Sequence, residues 1–461
     1  MGDSTTTTAS VARWSHGNAA GNSVALVWVF PEQRVTQLPS DQLLIGRAPE
    51  CAVQLVGGEI SRQHAQIVRD GPIFVIRDLG SKNGTFHNGR RVDEAVLEVQ
   101  DVIRVGDWVG VVSTVEPGDS RGVTQVSPQV LAGATLRAVL DSARRAAFSD
   151  LPIILSGETG TGKEVVAQLI HQWSQRPGPL VAINCAALPE SLAEAELFGH
   201  QKGAFTGADR ARTGLIREAD RGTLLLDEIQ ELSLEVQAKL LRTLQEGSVL
   251  PIGESRPVAV DVRVIAAGQT SLEEAVQQRR FRGDLYARLA GLELKLPSLR
   301  ERREEIAPIF LATLKDQLRS GIPATDPALI ERLALYDWPF NVREVIQIAR
   351  QVAVLHGHEP PFTEAHLPPR LMQRKMGDPP SRQLEPPREQ AKLDQAAKKK
   401  RREQGQAATD RQLERLVAAL RAHSGNVSKA ASELGISRQR AYRLMDLRPD
   451  LDIGDVRYPS D

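Results

Sequence analysis

Lys163 closes the stretch GETGTGK, residues 157–163. A lysine at the end of a glycine-rich loop is a phosphate-binding device: the backbone N–H groups surround phosphate oxygens and the ammonium neutralises them. The next residue, Glu164, stands where such loops usually carry a magnesium-binding hydroxyl. Two further carboxylates, Asp227 and Glu228, close the apolar run GTLLL. At the end of a buried strand, one of the pair can hold Mg²⁺ through water while the other polarises an attacking water. Between the two halves lies GAFTGA, residues 203–208. Small residues around Phe205 and Thr206 suit a loop that presents an aromatic tip and would make a poor helix or strand interior. Near the C-terminus, Ser437, Arg438, Gln439, Arg440 and Arg443 gather side chains suited to base edges and phosphates in a major groove.

These groups need elements to position them. The sequence PIILSGETGTGKE predicts strand, loop and helix start, so the phosphate would meet a helix N-terminus. From about 125 to 372, apolar strands alternate with long amphipathic stretches, predicting a parallel sheet wrapped by helices and followed by a helical tail. From 24 to 115, short β-branched runs broken by Gly, Asn and Pro predict a β-sandwich. Residues 373–410 mix Pro, charge and Gln with few large apolar side chains, as a solvated linker does. In 411–446 helical periodicity returns. There Asn426 and Ser437 are natural N-caps and Gly435 a turn residue, so NVSKAASELGISRQRAYRLM predicts a helix-turn-helix. A helical hairpin used for dimerisation is the plainer alternative.

Composition bounds the class. The chain has 461 residues, 41% hydrophobic and 25% charged, enough for about three domains. No apolar run reaches the roughly 18 residues of a membrane span, and the start MGDSTTTTAS lacks a secretory pattern, so the expectation is a cytoplasmic protein without membrane contact. Net charge is zero, which argues against a globally basic coat for nucleic acid but leaves local patches open, such as KKKRR at 398–402. The two cysteines, Cys51 and Cys185, lack metal-ligand spacing and are expected to be packed thiols.

Taken together, GETGTGKE, NCAALPESLAEAELFGH, GAFTGA, GTLLLDEI, RFRGDLYARL, LPSLRERREEI and WPFNVREV resemble the AAA+ domain of bacterial enhancer-binding proteins, which activate sigma-54 RNA polymerase. In that family Glu follows the loop lysine, so Glu164 is no defect. The resemblance implies ATP and Mg²⁺ as cofactors. It gives nucleotide contacts to Gly157, Glu158, Thr159, Gly160, Thr161, Gly162, Lys163 and Glu164, the metal to Asp227 and the catalytic water to Glu228. It also implies that Asn184 pairs with the catalytic Glu as a nucleotide switch, and that Arg282 and Arg288 are arginine fingers for a neighbouring subunit in a ring-forming, hexamer-like homo-oligomer. Arg343 becomes the second sensor. The loop Gly203, Ala204, Phe205, Thr206, Gly207 and Ala208 would contact sigma-54. One departure stands out: the family's first sensor is Thr-Asn, and here Gly268-Gln269 occupy those positions.

The N-terminal run LLIGRAPECAVQL, ISRQHAQIV and IRDLGSKNGTFHNGRRV resembles a forkhead-associated (FHA) domain, which recognises phosphothreonine. By that resemblance Arg47, Ser61, Arg62, Lys82 and Asn83 would hold the phosphopeptide. The ligand would be a threonine-phosphorylated protein or the chain's own tail, phosphorylated at one of Thr5 to Thr8. The C-terminal segment resembles the Fis-type module. The expected whole is a multidomain activator: an FHA-like β-sandwich, an α/β AAA+ P-loop ATPase with a helical lid, and a small all-α helix-turn-helix on upstream enhancer DNA. Two other readings stay open, a DNA-bound regulator that binds ATP without productive hydrolysis, prompted by Gly268-Gln269, and a phosphopeptide-binding scaffold.

Overall fold

The computed structural model describes residues 23–38, 40–204, 210–269, 271–318 and 324–372, with scattered positions between 418 and 433. Chain contacts divide the protein into two units, Met1–Pro379 and Pro380–Asp461.

The first unit opens with eleven strands: β1 (Ser23–Phe30), β2 (Arg34–Gln37), β3 (Gln42–Gly46), β4 (Val53–Gln54), β5 (Ala65–Asp70), β6 (Ile73–Asp78), β7 (Thr85–His87), β8 (Arg90–Val92), β9 (Glu94–Leu97), β10 (Val102–Val105) and β11 (Trp108–Val115). They form two sheets, in the orders β2-β1-β11-β10-β7-β8 and β4-β3-β5-β6-β9. Side chains alternate across a strand. Leu26 and Trp28 of β1 therefore point between the sheets with Ile45, Ile67, Ile76 and Val112, and Trp28 meets Trp108 edge-on at 5.7 Å. Ala25, Val27 and Val29 point the other way, and they are buried too. The unbroken apolar run Val24–Phe30 of β1 thus reflects burial on both faces, a pattern that alternation alone does not give.

A hairpin of β12 (Thr124–Ser127) and β13 (Val130–Ala132) leads into α1 (Ala134–Ala147). The parallel sheet that follows is built from β14 (Ile153–Ser156), β15 (Leu180–Asn184), β16 (Thr223–Asp227), β19 (Arg263–Gly268) and β20 (Leu292–Lys295), in the order β15-β16-β19-β14-β20. The small pair β17 (Ser248–Val249) and β18 (Val258–Ala259) stands apart from it. Ile153, Leu155, Leu225 and Ile265 face α1 and α2 (Lys163–Ser174). Ile154, Leu224, Leu226 and Val264 face the other layer, which holds α3 (Glu190–Phe198), α4 (Leu215–Glu218), α5 (Leu234–Glu246), α6 (Leu272–Gln277) and α7 (Gly283–Leu289). Both faces are covered, so these strands read as continuous apolar runs.

The lid comprises α8 (Ile306–Leu318), α9 (Pro327–Leu335), α10 (Asn341–His356) and the short α11 (Pro369–Met372). Val345, Ile348, Ala349 and Val352 of α10 recur at the spacing of one helix face and pack with Phe310, Trp338 and Phe362. Asp326 caps α9 by accepting from the Ala328 N–H at 2.8 Å, with Pro327 at the first helical position. In the second unit, residues 418–420 are helical, Ala419 and Leu420 are buried, and His423 lies 2.6 Å from Glu433. The sequence-derived contact residues Ser437, Arg438, Gln439, Arg440 and Arg443 lie outside the described residues, as do the 373–410 linker and Thr5 to Thr8.

Candidate functional site

β14 ends at Ser156, and the chain turns through residues 157–162 before α2 starts at Lys163. Gly160 and Gly162 sit at φ 80° and 105°, backbone that side-chain-bearing residues rarely adopt. At Gly160 the surroundings add a second reason: a Cβ would lie 2.1 Å from the Phe340 carbonyl oxygen. The lid is latched to the loop there, since the Val342 N–H donates to the Gly160 carbonyl at 3.0 Å and Asn341 Nδ2 donates to the Thr159 carbonyl at 3.0 Å. Lys163 is buried, and its Nζ donates to the Gly157 carbonyl at 2.8 Å. Thr161 Oγ1 donates to the Glu158 carbonyl at 2.8 Å.

The parallel register brings Ser156, Asn184, Asp227 and Gly268 to the same edge of the sheet, where Asn184 pairs with Asp227 and Asp227 with Ala267. Around this edge opens a cavity of about 790 Å³, lined among others by Lys163, Glu164, Asn184, Asp227, Glu228 and Arg343. Burial pushes the Lys163 ammonium down from its ordinary pKa, opposed by Glu228 and Asp227. Burial likewise pushes Asp227 up, opposed by Lys163. Asp227 Oδ1 is buried with no hydrogen-bond partner among the described residues. An orphaned carboxylate oxygen facing a phosphate loop fits a hard cation such as Mg²⁺, which takes oxygen ligands and retains water.

Several site side chains have partners that the sequence did not specify. Asn184 does not pair with Glu228 in this structure; its Oδ1 accepts the Ala186 N–H at 2.9 Å and caps a short 3₁₀ turn. Glu228 Oε2 instead accepts from Gln230 Nε2 at 2.5 Å and from the Gln269 N–H at 3.3 Å. Gln269 Oε1 in turn accepts from Thr159 Oγ1 at 3.3 Å, so the first-sensor position is tied to the loop. Glu158 turns its carboxylate away to the lid side, accepting from Arg300 Nη1 at 2.9 Å and Asn341 Nδ2 at 3.2 Å, and these contacts hold it below the usual carboxylate range. Arg282 pairs with Asp284 at 2.7 Å, and Arg288 donates to the Leu244 carbonyl at 2.9 Å. Neither arginine lines the cavity of its own chain.

The sequence reading missed Gln347 and Arg350, which line the cavity with Arg343. The three fall at i, i+4 and i+7 of α10, opposite its apolar face, so helical periodicity carried the signal. A second cluster of would-be metal ligands, His356, Glu359 and His366, lies elsewhere on the lid. Its imidazoles are stacked at 4.6 Å, and His356 Nδ1 and His366 Nε2 lie 3.0 and 3.7 Å from Glu359 Oε2, so these side chains contact one another. Cys51 and Cys185 are buried free thiols, and burial pushes Cys185 up to about 12.

The base of the GAFTGA loop is anchored: His200 bridges Arg212 on one side and Ile252 on the other, and Ala204 lies against Gly253. Gly203 and Ala204 are described; Phe205, Thr206, Gly207 and Ala208 lie outside the described residues. On the sandwich, Arg47, Ser61, Arg62, Lys82 and Asn83 gather from three inter-strand loops. Arg47, Arg62 and Lys82 are exposed. The loops are held by the Arg47 N–H on the Ser61 carbonyl (3.0 Å), the Lys82 N–H on Ser61 Oγ (3.1 Å) and Asn83 Nδ2 on the Glu59 carbonyl (2.9 Å). Buried His64 fixes the same region, its Nδ1 accepting from the Ser61 N–H (3.1 Å) and its Nε2 donating to the Gly84 carbonyl (3.2 Å). Burial holds its pKa below the ordinary histidine value, consistent with this neutral tautomer.

A glycine loop after the C-terminal end of β14, carboxylates at the end of β16 with β19 between the two strands, and a helical lid closed on the loop define the AAA+ class of P-loop proteins. Residues 130–295 match the sigma-54 interaction domain, 300–384 the AAA+ ATPase lid domain, 43–106 the FHA domain, and 409–443 the Fis family of bacterial regulatory proteins. By these matches the chain is similar to the sigma-54 transcriptional regulators. It is 47% identical over 229 residues to the anaerobic nitric oxide reductase transcription regulator NorR of Aeromonas salmonicida, covering 48% of this chain and 45% of that one. It is 40% identical over 306 residues to the transcriptional regulatory protein ZraR of Salmonella typhimurium, covering 65% and 64%. Against the crystal structure of NtrX from Brucella abortus in complex with ATP, the TM-score is 0.48 at 26% identity, over 70% of this chain and 69% of that one. The chain thus spans about half to two thirds of the length of these curated relatives.

Proposed function

We propose that the protein is an ATP-hydrolysing activator of sigma-54 RNA polymerase holoenzyme, held at upstream enhancer DNA and governed through phosphothreonine recognition. The observation that carries this reading is the single cavity that gathers Lys163, Asp227, Glu228 and the lid residue Arg343. Lys163 and the loop amides hold the β- and γ-phosphates, and Arg343 contacts the nucleotide from the lid. Asp227 would hold Mg²⁺, which when bound would supply charge neutralisation at the phosphates. Glu228 takes a proton from the water that attacks the γ-phosphorus, while the bond to the β–γ bridging oxygen breaks and leaves ADP and phosphate. Arg282 and Arg288 act on a neighbouring protomer, which requires a closed head-to-tail ring.

The loop 203–208 delivers the work to the sigma factor, and Ser437, Arg438, Gln439, Arg440 and Arg443 contact DNA. Arg47, Ser61, Arg62, Lys82 and Asn83 read a phosphothreonine on a partner protein or on the chain's own tail. These interactions suit a cytoplasmic protein; no described helix is long and apolar enough to cross a membrane. The deciding experiment is open-complex formation with purified sigma-54 holoenzyme, with and without threonine phosphorylation. ATP-dependent opening is expected, and its absence under both conditions would reject the activator reading. A second reading, ATP binding without productive turnover, is favoured by the hold of Gln230 and Gln269 on Glu228. A steady-state ATPase rate at background level would establish it.

A further inference from the structure

The sandwich is not an appendage on a free tether. The outer face of its first sheet, Ala25, Val27, Val29, Val102, Val109 and Val111, shares one buried apolar cluster with the lid residues Ile306, Phe310 and Leu333. Polar contacts frame that cluster. Arg104 Nε lies 2.7 Å from Glu331 Oε2, and the Glu331 side chain is wholly buried. Ser113 Oγ donates to Glu304 Oε1 at 3.2 Å, and the Arg303 N–H donates to Gln100 Oε1 at 2.8 Å. The connector is pinned as well: Asp119 pairs with Arg121 and Arg137, and its carbonyl accepts from Gln37 Nε2 at 3.3 Å.

The same lid segment reaches the phosphate loop. Arg302, Arg303, Glu304 and Glu305 are consecutive and all buried. Arg303 and Glu304 meet the sandwich. Arg302 Nη2 donates to the Thr161 carbonyl at 3.0 Å and its Nη1 to Glu305 Oε2 at 2.6 Å, and Glu305 Oε1 accepts the Gly133 N–H at 2.7 Å. Three residues upstream of Arg302, the Leu299 N–H donates at 2.7 Å to Oδ1 of Asn341, whose Nδ2 holds Thr159. Neighbouring backbone positions therefore bear on both domains with no flexible joint between them. A buried interface of this kind cannot be partly undone without leaving a charge or an apolar face unpaired.

We propose that this four-residue junction makes the sandwich a working part of the lid, so that undocking the sandwich loosens the lid's grip on residues 159–161 and weakens nucleotide binding. The inference rests on the nucleotide reading of the cavity. By linkage, it also gives phosphopeptide binding on the sandwich a route to the ATP site wherever that binding favours the docked or the undocked arrangement.

The test uses the full-length chain and a fluorescent ATP analogue. The parent must bind the analogue; a parent that does not would fail the nucleotide reading itself. Arg104→Ala, which strands Glu331, should expose residues 116–123 to protease and raise the nucleotide Kd at least tenfold. Arg77→Ala, which removes a surface pair with Glu94 on the second sheet of the same domain, should leave the Kd unchanged. Should Arg104→Ala fail to fold, the double variant Arg104→Ala/Glu331→Gln removes both charges and should give a smaller rise, about three- to tenfold, with the same protease sensitivity. Cleavage at 116–123 combined with a parental Kd would overturn the proposal. So would a sandwich that stays docked in both variants.

Discussion

The two phosphate sites proposed for the chain are of opposite construction. In the loop at 157–163, backbone groups and a buried lysine lie beneath a lid, and Phe340 leaves no space for a side chain at Gly160. On the sandwich, exposed Arg47, Arg62 and Lys82 stand on loops whose backbone is fixed from below by Ser61, His64 and Asn83. In the enclosed site charges are poorly screened, which burial of Lys163 and Asp227 makes visible as pKa shifts in the directions that favour neutrality. In the open site water screens every cation, so each contributes a modest and separable share. Enclosure should make single substitutions all-or-none, and exposure should make them graded.

The sharpest way to break the comparison is at the enclosed site. Lys163→Ala should remove detectable ATP binding, measured by calorimetric titration, while leaving phosphopeptide binding by the sandwich intact. Retained ATP affinity within tenfold of the parent would show that the loop amides suffice. Glu228→Gln comes next. It should keep ATP affinity and lower turnover by about 10²–10⁴-fold, the usual range for loss of a general base. Parental turnover would move the base to another residue.

The junction between the two regions predicts a pH effect. Burial, with Glu305 adjacent, pushes Glu304 from 4.5 up to about 7, while Ser113 and Gln100 oppose the shift. The folded state holds this proton more tightly than the unfolded state does. The contribution is therefore complete below pH 4.5 and is lost as pH rises through about 7, a change of about 3 kcal/mol. Asp227 and the other raised carboxylates slope the same way, so the readout is a difference: thermal unfolding at pH 5.5 and at pH 8.5 should diverge less in Glu304→Gln than in the parent. Equal slopes would mean that Glu304 is not the group titrating.

At the open site the effects should be smaller. Arg47→Ala should weaken binding of a phosphothreonine peptide roughly ten- to hundredfold, the scale of one charge-assisted hydrogen-bonded pair. Ser61→Ala should cost about 1 kcal/mol by removing the acceptor of the Lys82 N–H and a donor to the ligand. If Arg47→Ala instead abolishes binding while Ser61→Ala does nothing, the site depends on a single cation and the graded picture fails.

How much of this was legible without coordinates differs by element. The phosphate loop, Asp227 and Glu228 could be read directly, because the chemistry demands particular residue types within a few positions of one another, between a strand and a helix. Gln347 and Arg350 were legible in principle, since helical spacing puts them on the face of Arg343, yet the motif ended too early to include them. The partner of Asn184 was not legible: its side chain caps a local turn, and Gln230 and Gln269 occupy Glu228 instead.

The sequence by itself determined the elements and the local chemistry: alternating and continuous apolar runs for strands, 3.6-residue spacing for helices, glycines where the backbone needs positive φ, and cations clustered for phosphate. These depend on neighbours within a turn or a strand, which the order of residues already specifies. Tertiary structure alone decided which faces meet. The doubly apolar β1 signals that its outer face is covered but not by what, and buried Glu304 and Glu331 resemble ordinary helix-surface carboxylates until the sandwich lies over them. Such pairings join residues separated by about two hundred positions, and they are fixed by shape and desolvation in the assembled unit, quantities that no local pattern contains.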